Sequence, residues 1–216
     1  MSIINKEGMT TEEFFLYRNK QRPSRHARNI CLRFMNHCHA MSVLEVGCGV
    51  GLTLQQIIGF TKESVLVTGC DIDPEMLRLA AEVNRLEMGS RVSLVCNGDD
   101  SLPFAADAFD LVFSEASLHH FEDARSMISE MWRVLKPGGN LVIVDANPES
   151  LLARGYATYV KMKEWIESAG KGEMALAHSI RDALPEKKVT SLMADLGINC
   201  RTTRSRVSIC YETVKP

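Results

Sequence analysis

The sequence predicts a single α/β domain in three layers, a mostly parallel seven-stranded sheet with helices on both faces. Three observations carry this. Short apolar runs rich in Val and Leu recur between segments of helical periodicity, at residues 43–46, 64–70, 92–96, 109–113 and 140–144. Four of these runs lead into glycines or acidic residues: Gly47-Cys48-Gly49-Val50-Gly51, Asp71, Asn97-Gly98-Asp99-Asp100 and Ser114-Glu115. Open sheets of this class bind ligands at that carboxyl edge. The 216 residues, 45% hydrophobic and 24% charged, are enough for one core between two helix layers.

The first strand runs through Glu45 into three glycines at alternate positions. Glycine accepts positive φ and lets a ligand approach the backbone, and the amides of the helix start beyond it face that ligand. Taken alone the run also fits a plain structural turn. A dinucleotide fingerprint wants Gly-x-Gly-x-x-Gly, whereas Leu52 holds its last position here and a glycine stands one residue earlier, at Gly51. Pyrophosphate binding is disfavoured. Asp71 closes the second strand, where a carboxylate can accept from both hydroxyls of a ribose; the competing reading is a solvated turn carboxylate.

Asp73 as N-cap and Pro74 at the first helical position open a helix with Met76, Leu77, Ala80 and Val83 on its apolar face, before Gly89. Asp99, after the third strand, lies at the same edge and suits an exocyclic amine such as that of adenine. The fourth strand runs into Ser114-Glu115-Ala116-Ser117-Leu118-His119-His120-Phe121, a loop at that edge.

In order and spacing, residues 45–51, Gly69-Cys70-Asp71-Ile72-Asp73-Pro74-Glu75-Met76-Leu77, Gly98-Asp99 with Leu102-Pro103-Phe104, and Leu118-His119-His120-Phe121 resemble successive motifs of one family. So does Arg133-Val134-Leu135-Lys136-Pro137-Gly138-Gly139 with the strand after it. The family is the class I S-adenosylmethionine-dependent methyltransferases, of the small-molecule, type 11-like kind, and the likeness covers residues 41 to 146. It implies a Rossmann-like methyltransferase fold, S-adenosyl-L-methionine as cofactor and S-adenosyl-L-homocysteine as product. By the same resemblance Glu45 and the backbone of Gly47 and Gly49 hold the methionine end, within a loop that includes Cys48 and Gly51. Asp71 takes the ribose hydroxyls, Ile72 packs on adenine, Asp99 accepts from its amino group with the Asp100 amide nearby, and Ser114 and Leu118 line the methionine moiety. Met76 belongs to the same cofactor set. The Asn-Pro-Pro-Tyr-like signature of base and glutamine methylation is replaced here by Ser114-Glu115-Ala116-Ser117, which argues against those subclasses.

The expected reaction is methyl transfer to a small-molecule acceptor. His119 is the candidate base, at the carboxyl edge with a side chain suited to proton transfer near neutrality; packing and cofactor contact are the competing roles of His119 and His120. His26 and His178 are weaker rivals. Candidate substrate contacts are Tyr17, His120, Tyr156 and Tyr159.

Residues 1–40 read as a helical arm, with a Thr10/Glu13 capping box before Phe14, Phe15 and Leu16 and a second helix from Ser24 to about His39. Residues 41–146 are the cofactor half. Residues 147–184 form an insertion long enough for a lid, with Leu151, Leu152, Tyr156, Tyr159, Val160, Trp165 and Ile166 on one apolar helix face and a shorter helix around Leu176 and Ile180. The stripe Tyr156, Tyr159 and Trp165 fits core better than an acceptor pocket at that spacing. Residues 185–216 supply a last helix, 185–196, closed by Gly197, and two strands, 199–204 and 207–213, as an antiparallel hairpin.

A formal net charge of −2 leaves no overall basic field to draw nucleic acid. The clusters Arg201, Arg204, Arg206 and Arg18, Lys20, Arg22, Arg25, Arg28 read as solvated faces. RNA or protein methylation and a non-catalytic S-adenosylmethionine-binding module are the alternatives. An NAD(P)-dependent oxidoreductase is opposed by the glycine spacing and by Gly98-Asp99. None of the seven cysteines forms a C-x-x-C pair, and Cys48, Cys70 and Cys96 read as small core residues of a reducing, cytoplasmic protein. Cys31, His37, Cys38 and His39 match no common zinc spacing, so no metal is expected. The start does not read as a signal peptide, and no run approaches the ~18 apolar residues of a membrane span. The partners expected are a small acceptor and, as an open option, a second copy in a homodimer, with neither nucleic acid nor membrane.

Overall fold

The computed structural model describes residues 41–85, 87–165 and 171–216. The chain forms β1 (Met41–Val46), α1 (Leu52–Phe60), β2 (Val65–Asp71), α2 (Pro74–Val83), β3 (Val92–Cys96) and β4 (Phe109–Glu115). A 3-10 turn (Leu118–His120), α3 (Ala124–Val134), β5 (Leu135–Ala146), α4 (Leu151–Trp165), α5 (Lys171–Asp182), α6 (Glu186–Asp195), β6 (Arg201–Arg204) and β7 (Ser208–Val214) follow. The seven strands stand in the order β3-β2-β1-β4-β5-β7-β6, and β7 alone is antiparallel to its neighbours. The predicted sheet is therefore present, hairpin included.

Alternation along the strands divides the core in two. Leu44, Val46, Val112, Leu141 and Ile143 pack with Met127, Ile128, Met131 and Val134 of α3 and Val189 and Met193 of α6. Val43, Val67, Leu111, Phe113 and Val142 point the other way, onto Leu54, Ile57 and Ile58 of α1. This period of two is what buries both faces of a central parallel strand. Because β2 and β3 lie on one side of β1 and β4 and β5 on the other, the chain reverses its winding between β1 and β4. Their carboxyl ends flank the switch point at which open sheets bind ligands.

Local chemistry sets the helix starts as expected. The Asp73 carboxylate accepts from the Glu75 amide at 2.8 Å with Pro74 at the first helical position, and Asp123 caps α3 by accepting from the Arg125 and Ser126 amides. Gly197, φ 74°, ends α6. At the sheet's amino edge, away from the site, the Ser42 amide and hydroxyl donate to Asp110 Oδ2 at 2.8 and 2.7 Å and Lys136 Nζ donates to Oδ1 at 2.9 Å. That cluster ties β1, β4 and β5 together.

Four expectations change. β5 begins at Leu135, not at 140, because α3 passes directly into it and a register shift opposite Phe109 and Leu111 absorbs the Lys136-Pro137-Gly138-Gly139 segment. β6 is two residues shorter than expected. Cys96 is exposed, since β3 is the edge strand; Cys48 and Cys70 are buried as expected. The apolar face assigned to α4 is not a core face: Leu151 is 84%, Leu152 59% and Tyr159 53% exposed, while Ala153 and Val160 are buried. Its neighbour in the fold is α5, on which α4 packs. The arm 1–40, with Tyr17, His26 and the Cys31/His37/Cys38/His39 group, lies outside the described residues, as does Ile166. Among the described residues no helix is long and apolar enough to cross a membrane.

Candidate active site

The loop after β1 is held by its own backbone. The Gly47 and Cys48 amides both donate to the Cys70 carbonyl at 2.9 Å, and the Gly51 amide donates to the Cys48 carbonyl at 3.0 Å. Burial pushes the Cys70 thiol up to about 12 and raises that of Cys48 as well, so both are inert packing groups. Gly47, Gly49 and Gly51 all have positive φ, 74°, 52° and 73°. They differ in what surrounds them. A Cβ on Gly47 would stand 2.5 Å from Ser117 Cβ, and one on Gly51 2.8 Å from Ala80 Cβ, whereas one on Gly49 would meet nothing within 4 Å. Gly47 and Gly51 are packing glycines; Gly49 is where the backbone is open to a ligand.

Asp71 braces that open residue. Its Oδ2 accepts from the Gly49 amide at 2.8 Å and its Oδ1 from the Asp73 amide at 3.0 Å, leaving each oxygen further acceptor capacity. Burial raises its carboxyl above the usual aspartate range, opposed by the amides of Asp73, Gly49 and Ile72 and reinforced by the charge of Asp73. Beside it Ile72 is 48% exposed, an unusual position for an isoleucine next to a strand end. Asp99 and Asp100 are exposed after β3. Glu45 is buried at the end of β1, and Met76 is buried with Val50 and Leu79 under the loop.

From the other side of the switch point, Ser114 is fully buried and its Oγ has no hydrogen-bond partner among the described residues. Ser117 Oγ donates to the Gly47 carbonyl at 3.0 Å, which joins the two loops. Leu118 is buried. His119 Nδ1 lies 2.7 Å from Asp145 Oδ1, its backbone amide donates to Oδ2 at 3.1 Å, and its side chain is 1% exposed. The ring of His120 stands 4.1 Å from that of His119, centroid to centroid. α5 packs on this turn and brings His178 and Asp182 to it. Tyr156 is half-buried and Tyr159 half-exposed on α4, which meets the turn through α5.

Sequence reasoning missed Asp145. The signal was available: it ends the apolar run Leu141-Val142-Ile143-Val144 at the same edge, as Asp71 ends β2. The set fits an S-adenosyl nucleoside on structural grounds: open space at Gly49, a carboxylate and an exposed apolar side chain side by side on β2, and an orphaned Ser114 hydroxyl opposite.

Residues 44–143 match the family model described as a methyltransferase domain. Among curated relatives, the ubiquinone/menaquinone biosynthesis C-methyltransferase UbiE of Geotalea daltonii is 33% identical over 104 residues, 48% of this chain and 44% of that protein. The demethylmenaquinone methyltransferase of Tropheryma whipplei is 30% identical over 138 residues, 63% of this chain and 55% of that protein. The chain thus spans about half the length of these relatives. A solved S-adenosylmethionine-dependent methyltransferase from Aquifex aeolicus shares the fold, with a TM-score of 0.65 at 20% identity over 92% of this chain and 96% of that one.

Proposed function

We propose that this chain is an S-adenosylmethionine-dependent methyltransferase that moves a methyl group from S-adenosylmethionine to a small-molecule acceptor. One observation carries the reading: a single sheet edge gathers Asp71 braced on Gly49, the exposed Ile72 and, across the switch point, a buried histidine bonded to a carboxylate. Asp71 holds the ribose hydroxyls, Ile72 covers the adenine and Asp99 accepts from its amino group. Glu45 and the Gly47 to Gly51 loop, with Ser114 and Leu118, surround the methionine end. Bound there, S-adenosylmethionine supplies a methyl carbon made electrophilic by its positively charged sulfur. The chain's part is to align the acceptor and exclude water, and orientation of this kind lowers barriers by up to ~7–11 kcal/mol. His119 Nε2, buried and without a partner among the described residues, takes a proton from the acceptor.

A small acceptor is favoured over nucleic acid by the net charge of −2 and by the ion pair that commits Arg204 of the C-terminal arginine cluster to Glu186. The quinone-pathway names of the curated relatives support a small ring acceptor. Calorimetry tests the assignment. Saturable binding of S-adenosylhomocysteine with no response to NAD is expected; saturable NAD binding with silence toward S-adenosylhomocysteine would sink it.

The segment 147–184 acts as cover for the acceptor. Support comes from the packing of α5 on the Leu118–His120 turn and from the exposed Leu151, Leu152 and Tyr159 on α4. Amide exchange across 147–184 should slow when S-adenosylhomocysteine and acceptor are both present. Exchange that stays the same there removes the lid.

A further inference from the structure

Asp145 ends β5, is 5% exposed, and accepts three hydrogen bonds: from the His119 amide at 3.1 Å, from the Ala146 amide at 2.7 Å and from His119 Nδ1 at 2.7 Å. An ionised carboxylate only accepts, so the hydrogen between the two side chains sits on Nδ1. In a neutral imidazole the other nitrogen is then bare. That nitrogen, Nε2, is buried with no partner among the described residues, an exception to the rule that buried polar atoms are paired. A carboxylate kept only to anchor the 3-10 turn would need the backbone bond and not the ring bond.

The surroundings leave Nε2 its freedom. Among the described residues His120 stands beside the ring, His178 and Asp182 come from α5, and Tyr211 of β7 lies within electrostatic reach of Asp145. Arg181 engages Asp182 through two bonds, at 2.7 and 3.1 Å, and holds its carboxyl below the usual range against the cost of burial.

We propose that Asp145 is the positioning residue for His119, fixing the hydrogen on Nδ1 and leaving Nε2 to receive the proton of a hydroxyl-bearing acceptor of the phenol or enol class. The inference rests on the methyl-transfer reading and names its acceptor chemistry. His119 Nε2 gains the proton as the O–H bond breaks with its electron pair left on oxygen. That oxygen forms the new bond to the methyl carbon, and the carbon–sulfur bond breaks with its pair on sulfur. The resulting imidazolium lies against the Asp145 carboxylate, which stabilises it. An amine acceptor attacks through a lone pair it already has and needs no such nitrogen beforehand.

Long-range proton–nitrogen NMR of the ¹⁵N-labelled chain at neutral pH reads the tautomer, with His119→Gln assigning the ring. The expected result is protonated Nδ1 and bare Nε2 in the parent, retained in Asp145→Glu and replaced by a tautomer mixture in Asp145→Asn. Hydrogen on Nε2 in the parent, or an unchanged tautomer in Asp145→Asn, overturns the positioning role; the parent spectrum decides alone if the Asn variant does not fold. With S-adenosylhomocysteine bound, p-cresol should shift the Nε2 resonance and aniline should not. An Nε2 unmoved by p-cresol overturns the acceptor class. Because the tautomer is read in the unliganded chain, its outcome stays separate from that of the S-adenosylhomocysteine calorimetry.

Discussion

Gly51→Ala is expected to lower folding stability by about 2–5 kcal/mol, the sum of a left-handed backbone cost of ~1–2 kcal/mol for an L-residue and ~1–3 kcal/mol for overpacking. The position has φ 73°, and the new Cβ would stand 2.8 Å from Ala80 Cβ and 3.1 Å from Ala80 Cα. The second contact is the telling one, because helix backbone cannot swing aside as a side-chain end can. The same Cβ would press on Asn84 Nδ2 at 2.7 Å, the atom that donates to the Gly51 carbonyl at 3.1 Å and to the Ala80 carbonyl at 2.9 Å. The substitution would therefore part the glycine loop from α2. Against a domain stability of ~5–15 kcal/mol this is a large fraction, readable as a lower denaturant midpoint.

Gly49→Ala makes the control: with φ 52° and nothing within 4 Å of the added Cβ, it should carry only the backbone cost while filling the space assigned to the ligand. It should lose S-adenosylhomocysteine affinity with the smaller loss of stability. A Gly51→Ala chain as stable as the parent, or a Gly49→Ala chain that binds as well as the parent, would show that the two glycines have been given the wrong duties.

The two glycines also show where sequence reading stops. Their alternate spacing after an apolar strand identified the loop, because a turn with repeated positive φ calls for glycine. Which one faces a ligand and which a helix depended on the packing of α2, which no local pattern encodes. The strands were legible because apolar runs and their polar ends are local signals, and the Asp73-Pro74 start of α2 for the same reason. Cys96 was misplaced because edge or centre is a property of the assembled sheet. The stripe on α4 misled for a related reason: periodicity finds an apolar face but not its partner, and here Ala153 and Val160 are buried while Leu151, Leu152 and Tyr159 are exposed. His119 was singled out from its strand edge, whereas Asp145, 26 residues on, becomes its hydrogen-bond partner only when β5 pairs with β4.

The second large effect is expected at Asp71, where replacement by Ala should weaken S-adenosylhomocysteine binding tenfold or more, since a hydrogen bond to a charged group contributes about 1.5–3 kcal/mol and about 1.4 kcal/mol is a factor of ten. In the structure, however, this carboxylate braces its own loop, accepting from the Gly49 and Asp73 amides at 2.8 and 3.0 Å, a second duty beside the ribose role proposed for it. Loss of affinity alone would not say which duty was removed. Asp71→Asn should not restore binding, as one oxygen becomes an N–H donor and either opposes the Gly49 amide or gives up the Asp73 bond.

A ligand without the ribose hydroxyls separates the two duties. The parent should bind 2′,3′-dideoxy-S-adenosylhomocysteine at least tenfold less tightly than the natural compound, and Asp71→Ala should bind the two alike, because losses through one shared contact do not add. Acid should act on the parent in the same direction. Burial sets this carboxyl to protonate at a higher pH than an ordinary aspartate, so the ionised acceptor, and affinity with it, should begin to fall above the usual aspartate range as pH is lowered. Equal discrimination between the two ligands by parent and Asp71→Ala would show that the carboxylate only braces Gly49, and the ribose would then have to be placed on another residue of the β2 edge.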